Sequence, residues 1–397
     1  PLSSFDTPLI TKRIRGNSLD VAVYKDRLFV TSLEGVHTYS IKESLKTLND
    51  SFLSRPLYSL LFKNDIAFAT NYSNNLSYSF YLVDLRAPEV PEIYSEFPIS
   101  SGDNSFALYS EHLYVVKDDK SIEIFDYSNP YLPIVVNEIK TENQIGSLEV
   151  YDDIALINVT NAILVYDISN PRNPVFLKKN SNYCNLGYNK ITRLQNNILY
   201  VTCSAGTTIH RTYRINMLYL DKSIMPPNID LLGSIEGLQH INDFEVEGSK
   251  IYISEQEAGI ETYDISNINK PMLVGFNSSI ARTNNIVLNN ESIYVSTSGV
   301  AQVQKSLNLN QQYTQVKLDS ALVYHANWIP NMEVSNITGK CWVTQGSCEI
   351  NNINFENGTM DVIWTLANQE GEHEILIGVG NGSFFLSQID RITVTTH

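Results

Sequence analysis

Val165-Tyr166-Asp167-Ile168-Ser169-Asn170-Pro171-Arg172-Asn173-Pro174 decides how this chain reads. An alternating apolar run ends in Asp, and prolines follow four and seven residues later. The block returns as Ile124-Phe125-Asp126-Tyr127-Ser128-Asn129-Pro130-Tyr131-Leu132-Pro133 and as Leu82-Val83-Asp84-Leu85-Arg86-Ala87-Pro88-Glu89-Val90-Pro91. A further copy, Thr262-Tyr263-Asp264-Ile265-Ser266-Asn267-Ile268-Asn269-Lys270-Pro271, keeps only the second proline. Degenerate copies extend the series. Ser40 takes the Asp slot after Tyr39, and Tyr219-Leu220-Asp221 precedes Pro226-Pro227. Gly299–Gln304 aligns with Gly259–Asp264, which puts Gln304 in the slot. The anchors at 40, 84, 126, 167, 221, 264 and 304 lie 44, 42, 41, 54, 43 and 40 residues apart. That period is the spacing of four-stranded propeller blades. The expected fold is all-β: a seven-bladed β-propeller.

The remaining strands of each copy are legible too. Val21–Val30, Leu148–Ile157, Phe244–Ile253 and Ile286–Val295 are pairs of short apolar segments broken by Asp, Asn or Gly. Such pairs are hairpins. The anchor segment supplies a third strand, and the residues after the second Pro, such as Val175-Phe176-Leu177, supply an outer fourth. Proline is tolerated where an edge strand begins, because its missing N–H faces away from the ladder. The slot Asp followed by Ser-Asn-Pro is turn chemistry, with the carboxylate accepting an N–H two residues on. The last copy lacks a Pro-anchored outer strand. Phe5-Asp6-Thr7-Pro8-Leu9-Ile10-Thr11-Lys12 resembles the tail of the block and is the candidate to close the ring beside Gln304.

These blocks, above all Val165–Pro174 and Thr262–Pro271, resemble the LVIVD repeat of bacterial and archaeal extracytoplasmic propellers. The resemblance covers about residues 5–308. It implies a secreted or surface-located propeller, and it carries over no catalytic residue.

The domain expectation is a propeller at 1–308 and a small β-sandwich at 319–397. All three tryptophans, Trp328, Trp342 and Trp364, lie beyond the repeat. Strand signals continue there at Val316–Tyr324, Cys341–Val343, Met360–Leu366, Ile375–Val379 and Ile389–Thr395. Trp364 alternates with Val362 and Leu366, so it reads as core, and Trp328 reads as a packed loop anchor. The turn-like Gln345-Gly346-Ser347 makes a cross-strand disulfide between Cys341 and Cys348 easy. Cys184 and Cys203 flank two strands of one repeat and form the other candidate pair. Oxidised pairs point to an extracytoplasmic compartment.

Composition bounds the function. Of 397 residues, 43% are hydrophobic and 18% charged, a folded composition. A net charge of −15 repels phosphate backbones and excludes nucleic-acid binding. No apolar stretch is long enough for a membrane helix. Pro1-Leu2-Ser3-Ser4 lacks a Met and an apolar run, and reads as a mature or trimmed terminus.

No Gly-x-Ser-x-Gly elbow, zinc-binding His-Glu-x-x-His, P-loop or EF-hand loop is present. The repeat itself offers a site. Residues just before each inner strand converge on one mouth of a propeller's channel: Asn17, Asn104, Gln144, Asn189, His240, Asn242, Arg282 and Asn284. Convergent polar groups in a concavity are the default ligand site. The turns Glu34-Gly35, Lys117–Lys120 and Glu255–Glu257 stand on the same rim, as candidates for a partner protein or, being acidic, for a divalent cation such as Ca²⁺. The expected function is a non-enzymatic extracellular or cell-surface binding and adhesion protein, with a rigid face for a protein or glycan partner. The alternative is a metal-dependent hydrolase or lyase working at the channel mouth.

Overall fold

The repeat folds as the same antiparallel unit each time it occurs. The computed structural model describes residues 10–395 apart from 16–17, 33, 44, 50–56, 73–77, 88–90, 100–105, 161, 182–183, 185–191, 207–210, 257, 279, 281–282, 291, 298, 306–307, 310–312, 314, 318–320, 329–336, 367–368 and 382–383. The first sheet joins Ser18–Tyr24, Arg27–Ser32, Gly35–Ser40 and Lys46–Asn49, in that order. The second joins Leu57–Lys63, Ile66–Tyr72, Tyr78–Asp84 and Glu92–Ile99. The third joins Phe106–Tyr109, His112–Asp118, Ser121–Asp126 and Ile134–Lys140. The fourth joins Ile145–Tyr151, Ile154–Val159, Ala162–Asp167 and Val175–Ser181. The fifth joins Thr192–Gln195, Ile198–Gly206, Arg211–Asp221 and Asn228–Leu238. The sixth joins Ile241–Glu247, Lys250–Glu255, Gly259–Asp264 and Met272–Asn277. A closing sheet joins Ile286–Asn289, Ser292–Ser296 and Gly299–Gln304, and its outer place is taken by Ile10–Arg15. There Ile10 lies opposite Val303 and Arg13 opposite Ala301.

Local chemistry explains the unit. The inner hairpins turn through residues with positive φ, such as Asn64-Asp65 and Asn196-Asn197, which the twist of a two-residue turn requires. Each slot aspartate accepts the N–H two residues on: Asp84 from Arg86 at 2.9 Å, Asp126 from Ser128 at 3.0 Å and Asp167 from Ser169 at 2.8 Å. Asp221 and Asp264 do the same with Ser223 and Ser266. The outer pair also shifts register just before the slot, at Leu82/Val83, Ile124/Phe125, Val165/Tyr166 and Thr262/Tyr263. Such a bulge twists an edge strand away from stray pairing.

Cores lie between neighbouring sheets. Phe29 meets Leu57 and Tyr81, Phe68 and Phe80 meet Leu113 and Val115, and Tyr114 meets Leu148 and Ile157. Leu156 and Val165 meet Leu199, then Tyr200 and Ile215 meet Phe244 and Ile253. Tyr252 and Ile260 meet Ile286 and Val295, and Tyr294 and Val300 of the closing sheet meet Val21 and Leu28 of the first. The series returns to its start, so the sheets ring a central channel. Truncating one of the buried aromatics to Ala would cost about 3–5 kcal/mol.

The C-terminal strands form two facing layers. Asn308–Leu309, Ala321–Asn327, Thr359–Thr365 and Ser347–Asn354 make one. Thr338–Val343, Gly371–Gly380 and Phe384–Thr395 make the other. Tyr324, Val362 and Trp364 meet Ile375, Ile377 and Ile392 between them. Trp364 and Trp328 are both buried. The second layer is not separate from the propeller: Phe385 pairs with Phe276 and Phe384 with Asn277, so it runs on from the sixth sheet.

Two expectations need correction. The run Val316–Tyr324 is not one strand. Gln315–Lys317 pairs with Phe384–Thr395 in one layer, while Ala321–Asn327 belongs to the other. Cys341 and Cys348 are bonded, with Cα atoms 6.2 Å apart, but not across a paired hairpin. Thr338–Val343 pairs with Gly371–Gly380 and Ser347–Asn354 with Thr359–Thr365, so the disulfide staples the two layers together. Cys184 and Cys203 are also bonded, with Cα atoms 5.5 Å apart.

Candidate functional site

The inner-strand register locates the channel lining. The last residue of each inner strand pairs across its hairpin turn: Tyr24, Lys63, Tyr109, Tyr151, Gln195, Glu247 and Asn289. Four residues earlier stand Asp20, Ser59, Ser147, Asp243 and Asn285, while positions 105 and 191 lie outside the described residues. Asp20 and Asp243 therefore hold the same place in different sheets, and they behave alike. Asp20 Oδ1 accepts the N–H of Val21 at 2.8 Å and Oδ2 that of Leu60, on the second sheet, at 3.0 Å. Asp243 Oδ2 accepts the N–H of Ile286, on the closing sheet, at 3.2 Å. Each carboxylate thus bonds to the next inner strand around the ring.

Two residues further on, the copies read Ala22, Leu61, Ala107, Glu149, Arg193, Glu245 and Val287. Three adjacent sheets contribute charge here. Arg193 donates from Nη2 to Asp243 at 2.9 Å and from Nε to Glu245 at 3.4 Å. Burial works against the guanidinium's charge, but Asp243, Glu245 and Glu149 outweigh it and hold its pKa above the ordinary range. Burial pushes Glu245 up to about 7 against the pull of Arg193. It also raises Asp243, and it lifts Asp20 to about 7, where repulsion from Asp243 adds to it.

Four of the expected mouth residues are described. Gln144 accepts the N–H of Thr160 through its carbonyl at 3.2 Å. The Asn242 amide donates to the carbonyl of Thr283 and ties the sixth sheet to the segment leading into the closing sheet, so it is committed to structure. Asn284 is exposed, and its carbonyl accepts from Ser254 Oγ at 2.5 Å. The exposed His240 ring bonds through Nδ1 to Gln256 Oε1 at 2.7 Å and stacks on Tyr213, centroids 5.2 Å apart. Asn17, Asn104, Asn189 and Arg282 lie outside the described residues.

The rim turns differ among themselves. Lys117 pairs with Glu123 at 2.6 Å, and Asp118 accepts the N–H of Lys120 at 2.8 Å. Glu255 is buried beneath the mouth, with Oε2 accepting the Gln239 N–H at 3.1 Å. Among the described residues no three His, Cys, Asp or Glu stand grouped as metal ligands.

Reading the sequence for the rim alone missed the channel charges. Their signal was present: a column of small and apolar residues interrupted by Glu149, Arg193 and Glu245 at one repeat position.

The propeller is similar in fold to several solved structures. The β-propeller domain of Cps50 (Swd1) from Myceliophteria thermophila matches with a TM-score of 0.59 at 13% identity, covering 75% of this chain and 99% of that one. The computationally designed Ika8 protein matches at 0.52 and 11%, over 75% of this chain and 100% of its own. Kluyveromyces lactis Hsv2 matches at 0.51 and 14%, over 74% and 94%. No protein-family model and no curated protein matches the chain. At such identities the likeness shows the fold, an all-β propeller. Among the described residues no helix is long and apolar enough to cross a membrane.

Proposed function

We propose that this chain is a non-enzymatic, extracytoplasmic binding protein of LVIVD type. In this reading a seven-bladed propeller at 1–308 carries a small β-sandwich at 319–397, to which Asn308–Leu309 and Gln315–Lys317 add strands. The face on which the inner strands begin engages a protein or glycan partner. The observation that carries it is the exposed His240 ring, stacked on Tyr213, bonded to Gln256 and next in the chain to exposed Gln239. Aromatic faces edged by amide and imidazole groups on a rigid rim suit a polar partner with one apolar side. The two disulfides support an oxidising compartment.

Binding to a glycan array and to extracellular matrix proteins tests the site. The His240→Ala/Gln256→Ala double variant should keep its melting temperature and lose the binding that the wild type shows. Equal binding by both proteins rules this sector out. Alkylation of the protein in intact cells, followed by mass measurement, tests the compartment. Four free thiols would place it in a reducing one.

A further inference from the structure

Glu255 ends the strand Lys250–Glu255 and is 1% exposed. Ile251 and Ile253 of that strand pack toward the fifth sheet, and alternation points Glu255 the same way. Its Oε2 accepts the Gln239 N–H, while its buried Oε1 has no hydrogen-bond partner. A buried, unpartnered carboxylate oxygen is costly when charged. Its surroundings deepen the cost. Glu261, on the adjacent strand, adds like charge, and burial with that repulsion pushes Glu255 up to about 7. Tyr263 bonds through its OH to Glu261 at 2.9 Å and feels both carboxylates. On the fifth sheet Arg214 is engaged with Glu236 at 3.6 Å, and Tyr213 faces His240.

We propose that Glu255 is a proton-operated latch beneath the mouth: uncharged, it stays folded under Gln239, and its ionisation beside Glu261 frees the rim formed by Gln239, His240 and Gln256. The rim is coupled to it directly. Gln239 donates to its carboxyl, and His240 accepts the Gln256 N–H at 3.0 Å, one residue beyond Glu255. The switch acts on the rim whatever the mouth binds, so it stands apart from the choice of partner.

Hydrogen exchange at the Gln239–Asn242 amides, corrected for the intrinsic rate at each pH, is the test. In the wild type, protection should fall roughly tenfold or more between pH 5.5 and 8.5, as a one-unit displacement in a coupled titration would give. Glu255→Gln should stay protected with a flat profile. Glu261→Gln should move the wild-type midpoint down, because it removes the repulsion without touching the Gln239 bond. A flat wild-type profile, or an unchanged transition in Glu255→Gln, overturns the latch. Should Glu255→Gln fail to fold, an unmoved midpoint in Glu261→Gln overturns it alone.

Discussion

Arg391 donates from Nη2 to the carboxylate of Asp264 at 3.0 Å, joining the last strand of the chain to the turn aspartate of the sixth sheet. The same guanidinium donates to Glu374 at 2.6 Å. The turn that ends a repeat thus doubles as a docking point for the C-terminal layers. Lys250 reinforces it with a bond to Gln388 at 2.9 Å, and Ser387 Oγ donates to the carbonyl of Val274.

Arg391→Ala should loosen that docking. Asp264 keeps its bonds from Ser266 but loses its cation. Because the guanidinium is 40% exposed, the expected loss is small, about 1 kcal/mol. Urea unfolding measures it, and limited proteolysis should release the C-terminal layers faster. An unchanged midpoint and cleavage rate would show that the ion pair contributes nothing.

Phe276→Lys should undock the layers more thoroughly. Counting back three residues from each slot Asp, the outer-strand partners are Glu96, Glu138, Lys179, Leu231 and Phe276. Charge guards three of these edges, as charge on an edge strand does against foreign pairing. The fifth- and sixth-sheet positions are apolar, and at the sixth Phe385 pairs. Solution scattering should show a larger radius of gyration for the variant, with loss of amide protection at 385–387. A radius equal to the wild type's would mean the pairing does not hold the layers.

This contrast shows how far the sequence could be read. The slot aspartates and their prolines were legible because turn chemistry is local: Asp167 finds its partner two residues away. The two cysteine pairs were legible because each lies within about twenty residues. The joining of Phe276 to Phe385 spans more than a hundred residues, and an apolar residue at that position does not mark it, since Leu231 stands at the same place in the fifth sheet. No periodicity announces it. The channel charges were hidden differently. Arg193, Asp243 and Glu245 stand in ordinary alternating strands, and only the ring brings the fifth and sixth sheets close enough for them to meet.

Removing Ile10–Arg15 should open the ring. Backbone pairing from Ile10 to Arg15 covers the outer side of Gly299–Gln304. Without it that strand becomes a bare edge, a template for association. The truncated protein is expected to unfold at lower denaturant and to elute as larger species on size exclusion. A monomer with the wild-type midpoint would show that the closing strand is dispensable.

Asp20→Asn should change how stability depends on pH. Asp20 is raised from 3.8 to about 7, by burial first, with Asp243 adding and the Leu60 and Val21 N–H groups opposing. The folded protein therefore holds this proton more tightly than the unfolded chain does. The resulting stabilisation is complete below the unfolded value and is lost as pH climbs through about 7. Glu245 and Glu255 act in the same direction, while Asp84, held to about 2 by Arg86, acts in the opposite one. The difference between wild type and variant isolates Asp20. Asn offers one acceptor in place of two, so the variant should lose about 1 kcal/mol in acid. Its disadvantage should shrink as pH rises, and the two melting curves should converge by pH 8. Melting temperatures that run parallel from pH 4 to 8 would show that Asp20 carries the same charge in folded and unfolded chains, and that the bond from Leu60 is made to a permanently ionised carboxylate.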